Sequence, residues 1–255
     1  MELERNKQAE IDSRTADFIA GARPEPGGRL GRVPRGGDET TKPFGHDPAS
    51  FTDWATIATM FDSLAIPAGA EVIDVGCGGG WTSLFLAESG YRVTGYDIVP
   101  LNVDIARARA ERWGVEASFE VADMESLPAG DRADVALVFD ALHHSNRQAA
   151  VVECVAGRVR PGGWVILGEP GWIHRFSPGA HATRRDLGWT ERGLTVRGLR
   201  RDLRAAGFGE VRRFFQPTRP YESRVRGFGW QLLRLAAANL WVAPGAHLWL
   251  AARRR

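Results

Sequence analysis

The stretch that most constrains the fold of this chain is Val72-Ile73-Asp74-Val75-Gly76-Cys77-Gly78-Gly79-Gly80. A short apolar, β-branched run of this kind is what a buried parallel strand looks like. The glycines that follow let the backbone turn tightly and approach a ligand with no Cβ in the way. Trp81-Thr82-Ser83-Leu84-Phe85-Leu86-Ala87 then places apolar residues at helical spacing. The turn therefore opens a helix whose N–H groups point back toward the ligand. Strand, glycine turn and helix together make a nucleotide-binding unit.

A dinucleotide site needs a third glycine at the sixth position of G-x-G-x-x-G, where the helix packs on the strand. Counting from Gly76, that position is Trp81. The pattern that fits is Asp-x-Gly-x-Gly-x-Gly, carried by Asp74, Gly76, Gly78 and Gly80. It resembles the first motif of the class I S-adenosylmethionine (SAM) dependent methyltransferases. SAM has no pyrophosphate for the helix to hold, and its ammonium group favours nearby acids.

Later segments strengthen the resemblance. Tyr91–Asp97 reads as a second strand ending in an acid about 20 residues beyond the glycines, where a carboxylate can accept both ribose hydroxyls. In the resembled family's arrangement Ile98 would sit against the adenine. Residues 117–124 read as a third strand and turn, and the family has an acid here for the adenine amino group, which Asp123-Met124 matches. Asp134–Asp140 is an apolar fourth strand that includes Phe139, and Arg160-Pro161-Gly162-Gly163 leads into a fifth, Trp164–Pro170. The resemblance implies SAM as cofactor, held by Asp74, Gly76, Cys77, Gly78, Gly80, Asp97, Ile98, Asp123, Met124 and Phe139. It also implies an α/β fold of the Rossmann-like, doubly wound type. The sheet would have seven strands, mostly parallel, with Val211–Phe215 and the reversed His247–Ala251 as its closing hairpin.

At 255 residues the chain suffices for one large α/β domain. The expected organisation is a flexible leader and lid over residues 1–45 and a methyltransferase domain over 46–255. That domain has its core at 70–170 and its acceptor-side and C-terminal elements at 171–255. Apolar residues among many charges make residues 1–20 a mobile or partly helical leader, and Gly, Pro and Arg dominate 21–43. A helix is expected over 50–64 with Phe51, Trp54, Ile57, Ala58 and Phe61 on one face. In small-molecule methyltransferases the segment before the first strand often covers the cofactor, which makes Phe44, His46 and Trp54 lid candidates. Residues 172–189 read as an aromatic, basic, helix-poor loop, and 195–206 as a helix. The Trp- and Leu-rich stretch 225–242, edged by arginines, reads as a core-packed helix, with peripheral membrane contact as its other reading.

Two cysteines build no disulfide framework, the charged N-terminus has no apolar signal core, and no run approaches ~20 apolar residues. A cytoplasmic location is the expectation. Residues 71–145 hold 13 acids against 5 bases, whereas 175–255 hold 5 acids against 17 arginines. Only Lys7 and Lys42 are lysines, so arginine is the default cation and a solvated basic surface explains most of the excess.

Methyl transfer is an in-line displacement at a sulfonium carbon, so the enzyme positions the nucleophile and takes its proton. His143 and His144 follow the fourth strand, where the ligand crevice of an open α/β sheet lies. Either suits a base at neutral pH, with His144 preferred because it lies further past the strand end. Glu169, His174 and His46 stand in reserve on the substrate side. No Cys/His/Asp group shows ligand spacing, so no metal is expected. Base-specific DNA amino-methyltransferases carry Asn/Asp-Pro-Pro-Tyr/Phe after the fourth strand, where this chain has Asp140-Ala141-Leu142-His143. The resulting expectation is O-methylation of a small-molecule acceptor in saccharide or secondary-metabolite biosynthesis. The rival readings are a nucleic-acid methyltransferase using the C-terminal arginines, an NAD(P)-dependent oxidoreductase and a non-catalytic SAM-binding module.

Overall fold

Five apolar runs become five parallel strands: β1 (Glu71–Val75), β2 (Arg92–Asp97), β3 (Ala117–Val121), β4 (Ala133–Phe139) and β5 (Val159–Pro170). The computed structural model describes residues 2–21, 42–43, 48–216, 229, 233, 236 and 247–255. β6 (Phe208–Phe214) and β7 (His247–Arg254) complete a seven-stranded sheet of order β3-β2-β1-β4-β5-β7-β6. β7 runs antiparallel to both neighbours, with Phe214 opposite Trp249 and Gly168 also opposite Trp249. This is the reversed closing hairpin expected from the sequence. The bulge between Ala133 and Val135, which pair with Val159 and Trp164, accommodates the Arg160–Gly163 turn.

Alternation along the strands sends side chains to both faces of the sheet, and helices cover both. Ile73, Val75, Ala136, Val138, Val165 and Leu167 pack with α5 (Gln148–Arg158) and α7 (Val196–Ala205) through Val151, Val155, Leu199 and Leu203. Val72, Val135, Leu137, Ile166 and Trp249 face the other way, toward Ile57, Met60 and Phe61 of α2 (Pro48–Ser63). α3 (Trp81–Glu88) and α4 (Pro100–Trp113) meet through Leu84, Val103 and Ala106 over Phe119. α4 begins at Pro100, in the first turn of a helix, a place where a missing N–H costs nothing.

Two expectations are corrected. The α2 stripe is rotated: Phe51 and Ala58 are exposed, and Thr56, Ile57, Met60 and Phe61 are buried. The segment after β5 is helical in short pieces rather than helix-poor, with a 3-10 turn at Trp172–Phe176, α6 (Pro178–Ala182) and one π-helical turn at Thr183–Leu187. Ser177 starts α6 by accepting from the Ala180 N–H, with Pro178 in the first turn, a capping signal present in the sequence. Within the leader, read as mobile or partly helical, residues 2–21 form α1 (Glu2–Gly21), a 20-residue helix. The lid candidates Phe44 and His46, and most of the 225–242 stretch, lie outside the described residues. No described helix is long and apolar enough to cross a membrane.

Asp74 was expected to touch the cofactor, but it does not border the cavity at the carboxyl ends of the strands. It is buried at the end of β1 and accepts the hydroxyls of Thr82 and Ser83, each at 2.6 Å, from the first turn of α3. Its carboxylate thus ties the strand to the helix across the glycine turn. Gly80, also expected at the cofactor, serves the same junction. Its φ is +77°, and a Cβ there would lie 2.8 Å from Ala106 Cβ and 2.9 Å from the Phe119 ring. Gly80→Ala is expected to destabilise the protein by about 2–3 kcal/mol in urea unfolding, from overpacking and left-handed strain together. An unchanged midpoint would mean that α3 and α4 do not meet at this point.

Burial pushes the Asp74 carboxyl up to about 6, against the pull of the Ser83 and Thr82 bonds. The folded state therefore holds this proton more tightly than the unfolded chain. The associated stability is complete below the ordinary value of 3.8 and is lost as pH rises through about 6. Wild-type stability measured against Asp74→Asn should fall by on the order of 3 kcal/mol across that window. A pH-independent difference between the two proteins would contradict a buried, desolvated Asp74.

Candidate active site

Strand order reverses between β1 and β4, and the main cavity opens beyond the carboxyl ends of these strands. This is where doubly wound sheets bind ligands, because the loops diverge there to opposite faces. Gly76, Cys77 and Gly78 line its floor after β1, Asp97 and Ile98 one wall after β2, and Asp123 and Met124 another after β3. Phe139, Asp140, Ala141, His144 and Ser145 close it after β4. Of the expected cofactor residues, all but Asp74 and Gly80 border this cavity.

Gly76 makes the close approach possible. Its φ is +78°, and a Cβ would stand 2.3 Å from Ala141 Cβ, so the turns after β1 and β4 touch only because this residue has no side chain. Its N–H and that of Cys77 both donate to the Tyr96 carbonyl, locking the turn to β2. Asp97 accepts from the Gly78 N–H at 2.9 Å and the Val99 N–H at 2.9 Å, and Asn102 Nδ2 donates to it at 3.0 Å. The acid at the β2 end is thereby held at the cavity edge. Asp123 caps the turn after β3 by accepting from the Glu125 N–H at 2.9 Å.

The turn after β4 is organised by Glu169, not by the acceptor. Glu169 has no exposed surface. It accepts from the amides of Ala141 (3.1 Å), Leu142 (2.8 Å) and His143 (3.3 Å), and its Oε2 lies 3.0 Å from His143 Nδ1. A buried carboxylate is stable only with such partners, so Glu169 is corrected from a substrate-side residue to the anchor of the loop. Burial pulls the His143 imidazole down, but the Glu169 bond and the surrounding carboxylates outweigh it, so its pKa is raised. His143 is buried and does not border the cavity.

His144 does border it. Its Nδ1 is 3.0 Å from the Thr190 carbonyl oxygen, which only an N–H can satisfy, so Nδ1 carries the proton and the lone pair resides on Nε2. His174 hydrogen-bonds Glu191 at 2.8 Å and lies off the cavity lining, and Trp54 packs on Phe85 with ring centroids 4.9 Å apart. Neither faces the ligand space as the sequence reading expected.

Several lining residues were not anticipated. Lys7 and Glu10 bring α1 to the cavity, and Lys7 bridges Asp123 and Glu125. Trp189 Nε1 donates to Ser13 Oγ at 2.8 Å, fixing the same helix to the acceptor side. Asp140 has a φ of +52° and lies 3.5 Å from His247 Nε2, while Asp53 lies 3.4 Å from His247 Nδ1. Burial pulls His247 down, yet the two carboxylates prevail and push it up to about 10. Asp140 in turn, pushed up by burial but held by His247 and the neighbouring charges, stays well below the usual carboxylate range. Ser145 Oγ is buried with no hydrogen-bond partner among the described residues. An Asp that leaves a strand and precedes a His pair was the available signal for Asp140; nothing local marked Lys7 or Glu10.

Residues 72–163 match the family model described as a methyltransferase domain. The chain is 30% identical over 188 residues to the ubiquinone biosynthesis O-methyltransferase of Methylocella silvestris, covering 69% of this chain and 70% of that protein. It is 36% identical over 128 residues to the enzyme of the same name from a Methylobacterium species, covering 49% of this chain and 51% of that one. The chain thus spans about half the length of the latter relative. Among solved structures, the magnesium protoporphyrin IX methyltransferase of Synechocystis with bound SAM shares the fold. Its TM-score is 0.62 at 20% identity, over 98% of this chain and 97% of that one. The SAM-dependent methyltransferase of Mesorhizobium loti matches with a TM-score of 0.60 at 20% identity, over 80% and 98% respectively. With the switch-point cavity, the Asp-x-Gly-x-Gly-x-Gly turn and these relatives in agreement, the chain belongs to the class I SAM-dependent methyltransferases.

Proposed function

We propose that the protein transfers the methyl group of SAM to a hydroxyl oxygen of a small molecule, with His144 as the base. One observation carries this reading. The glycine turn at Gly76–Gly78, the acids Asp97 and Asp123 and the imidazole of His144 all border a single cavity. The cavity wall is rich in carboxylates, which suits a ligand bearing sulfonium and ammonium charges. In this reading Asp97 accepts the ribose hydroxyls, Ile98 and Met124 flank the adenine, and Asp123 takes its amino group. For that contact, Lys7 of α1 yields its place on Asp123, making the N-terminal helix part of the cover over the cofactor. Asp140, kept ionised by His247, is suited to the ammonium group, and the Ser145 hydroxyl to the carboxylate.

When bound, SAM supplies an electrophilic methyl on sulfur. The chain's own part is to hold the acceptor oxygen in line and to take its proton at His144 Nε2, while the Thr190 carbonyl keeps Nδ1 protonated. His143, pinned by Glu169 and hidden from the cavity, is a positioning residue in this scheme. The named relatives are O-methyltransferases of ubiquinone biosynthesis, which supports oxygen as the methylated atom and a biosynthetic small molecule as acceptor.

Two measurements test the assignment. Asp97→Ala should weaken SAM binding in calorimetry by about 1.5–3 kcal/mol, the cost of losing hydrogen bonds to a charged group. An unchanged dissociation constant would remove Asp97 from the ribose site. With an acceptor found by mass-spectrometric search for products gaining one methyl, His144→Ala should lower the single-turnover rate by ~100-fold or more and leave SAM affinity within a few-fold. The wild-type rate should rise with pH as the imidazole loses its proton, and the variant should lack that rise. A variant that keeps the wild-type rate and profile would exclude His144 as the base.

A further inference from the structure

Beside His144, whose ring centroid lies 3.9 Å from that of His143, three segments meet. The turn after β4 brings His143, the 3-10 turn after β5 brings His174, and the irregular stretch before α7 brings Glu191. Their ligand atoms all lie within 4.8 Å of one another. His174 Nε2 is 2.8 Å from Glu191 Oε2, and His143 Nε2 is 3.8 Å from the same oxygen. Ligands held at ~2.0–2.1 Å around a tetrahedral ion are ~3.3–3.4 Å apart, so the two spacings to Glu191 each need about 0.5 Å of adjustment, and the two imidazoles must close from within 4.8 Å.

The second observation is the support behind the first ligand. The fully buried Glu169 engages His143 Nδ1 at 3.0 Å, leaving Nε2 directed to the trio. A carboxylate on the far nitrogen of a histidine is the arrangement that orients metal ligands and raises their basicity. Glu191 is itself sheltered, with a side chain 6% exposed, while His174 at 23% leaves one side open to solvent. An ion thus has both a protected carboxylate and a way in.

We propose that His143, His174 and Glu191 bind a divalent cation of the zinc class through two imidazole nitrogens and one carboxylate oxygen, leaving a coordination position open. Two nitrogen donors of three favour a borderline transition metal over Mg2+ or Ca2+, which prefer oxygen throughout. The open position makes this the ligand set of a reactive site, not a closed structural one. Because the three ligands come from separate segments, the ion also clamps the acceptor-side turns to the ends of β4 and β5. The site stands on these side chains and is independent of the cofactor assignment.

The test uses the full-length, tag-free protein stripped with a chelator. Titration with Co2+ should produce a visible absorption band saturating at one ion per chain. Zn2+ calorimetry should show the same stoichiometry, with Mg2+ failing to compete. Zn2+ should raise the melting temperature of the wild type. His174→Ala and Glu191→Gln should each weaken Zn2+ binding by at least ~100-fold, beyond the 10–100-fold expected of a merely supporting residue. His181→Ala, an exposed histidine on α6, should bind as the wild type does. Circular dichroism and binding of the demethylated cofactor, followed in parallel, report whether each variant is folded independently of metal. Absence of stoichiometric Co2+ or Zn2+ binding by the wild type would overturn the proposal, leaving the trio a hydrogen-bonded network. Equal Zn2+ affinity in His174→Ala and Glu191→Gln would overturn it too. Neither result bears on methyl transfer, which is read by the cofactor and rate measurements.

Discussion

A single buried carboxylate, Glu169, holds the business end of this protein together. An ionised group with no exposed surface is tolerable only if its oxygens are occupied, and here three consecutive amides and one imidazole occupy them. The consequence is a rigid turn from Ala141 to His144 at the end of β4. Asp140 enters it with a positive φ, an arrangement that an Asp side chain tolerates better than most. Removing Glu169 would leave three buried N–H groups without an acceptor, so its position on β5 matters more than any contact with a ligand.

The rest of the site is built against that turn. Gly76 lets the β1 turn pass within contact of Ala141, so the two loops that diverge at the switch point still form one floor. Asp74 braces the same floor from below, through the hydroxyls of Thr82 and Ser83. On the far side, His247 of the reversed strand bridges Asp53 of α2 and Asp140 of the cavity wall. The imidazolium thus links the closing hairpin, the helix before the first strand and the ligand space in one electrostatic network. The α1 helix adds the last wall by placing Lys7 over Asp123 and Glu125.

These features divide by the range of the forces that make them. Strand, glycine turn and helix are local patterns, and so are the acids at the ends of β2 and β3. The doubly wound sheet and most of the cavity floor were therefore legible residue by residue. The His143-His144 pair was legible for the same reason, because it follows an apolar strand directly. Asp74 and Gly80 belong to the recognisable motif, but membership in a motif does not say which face of a turn a residue takes. Their role in joining strand to helix emerged only from packing. The α2 stripe was misread because Phe51 and Ala58 fit a helical period that the sheet does not use.

Spacing and backbone chemistry dictate locally the succession of the parallel strands, the tight turn after β1 and the acids that border it, so these were readable from the residues alone. The folded arrangement alone settles that His143 is buried away from the cavity while His144 borders it, that Glu169 turns inward, and that Lys7 reaches the cavity from α1. It alone brought His143, His174 and Glu191 together from three segments whose spacing carries no ligand pattern. The physical reason is common to all of these. Side-chain direction at a loop, and contact between residues distant in sequence, are settled by the need to satisfy buried charges and fill the space between packed layers.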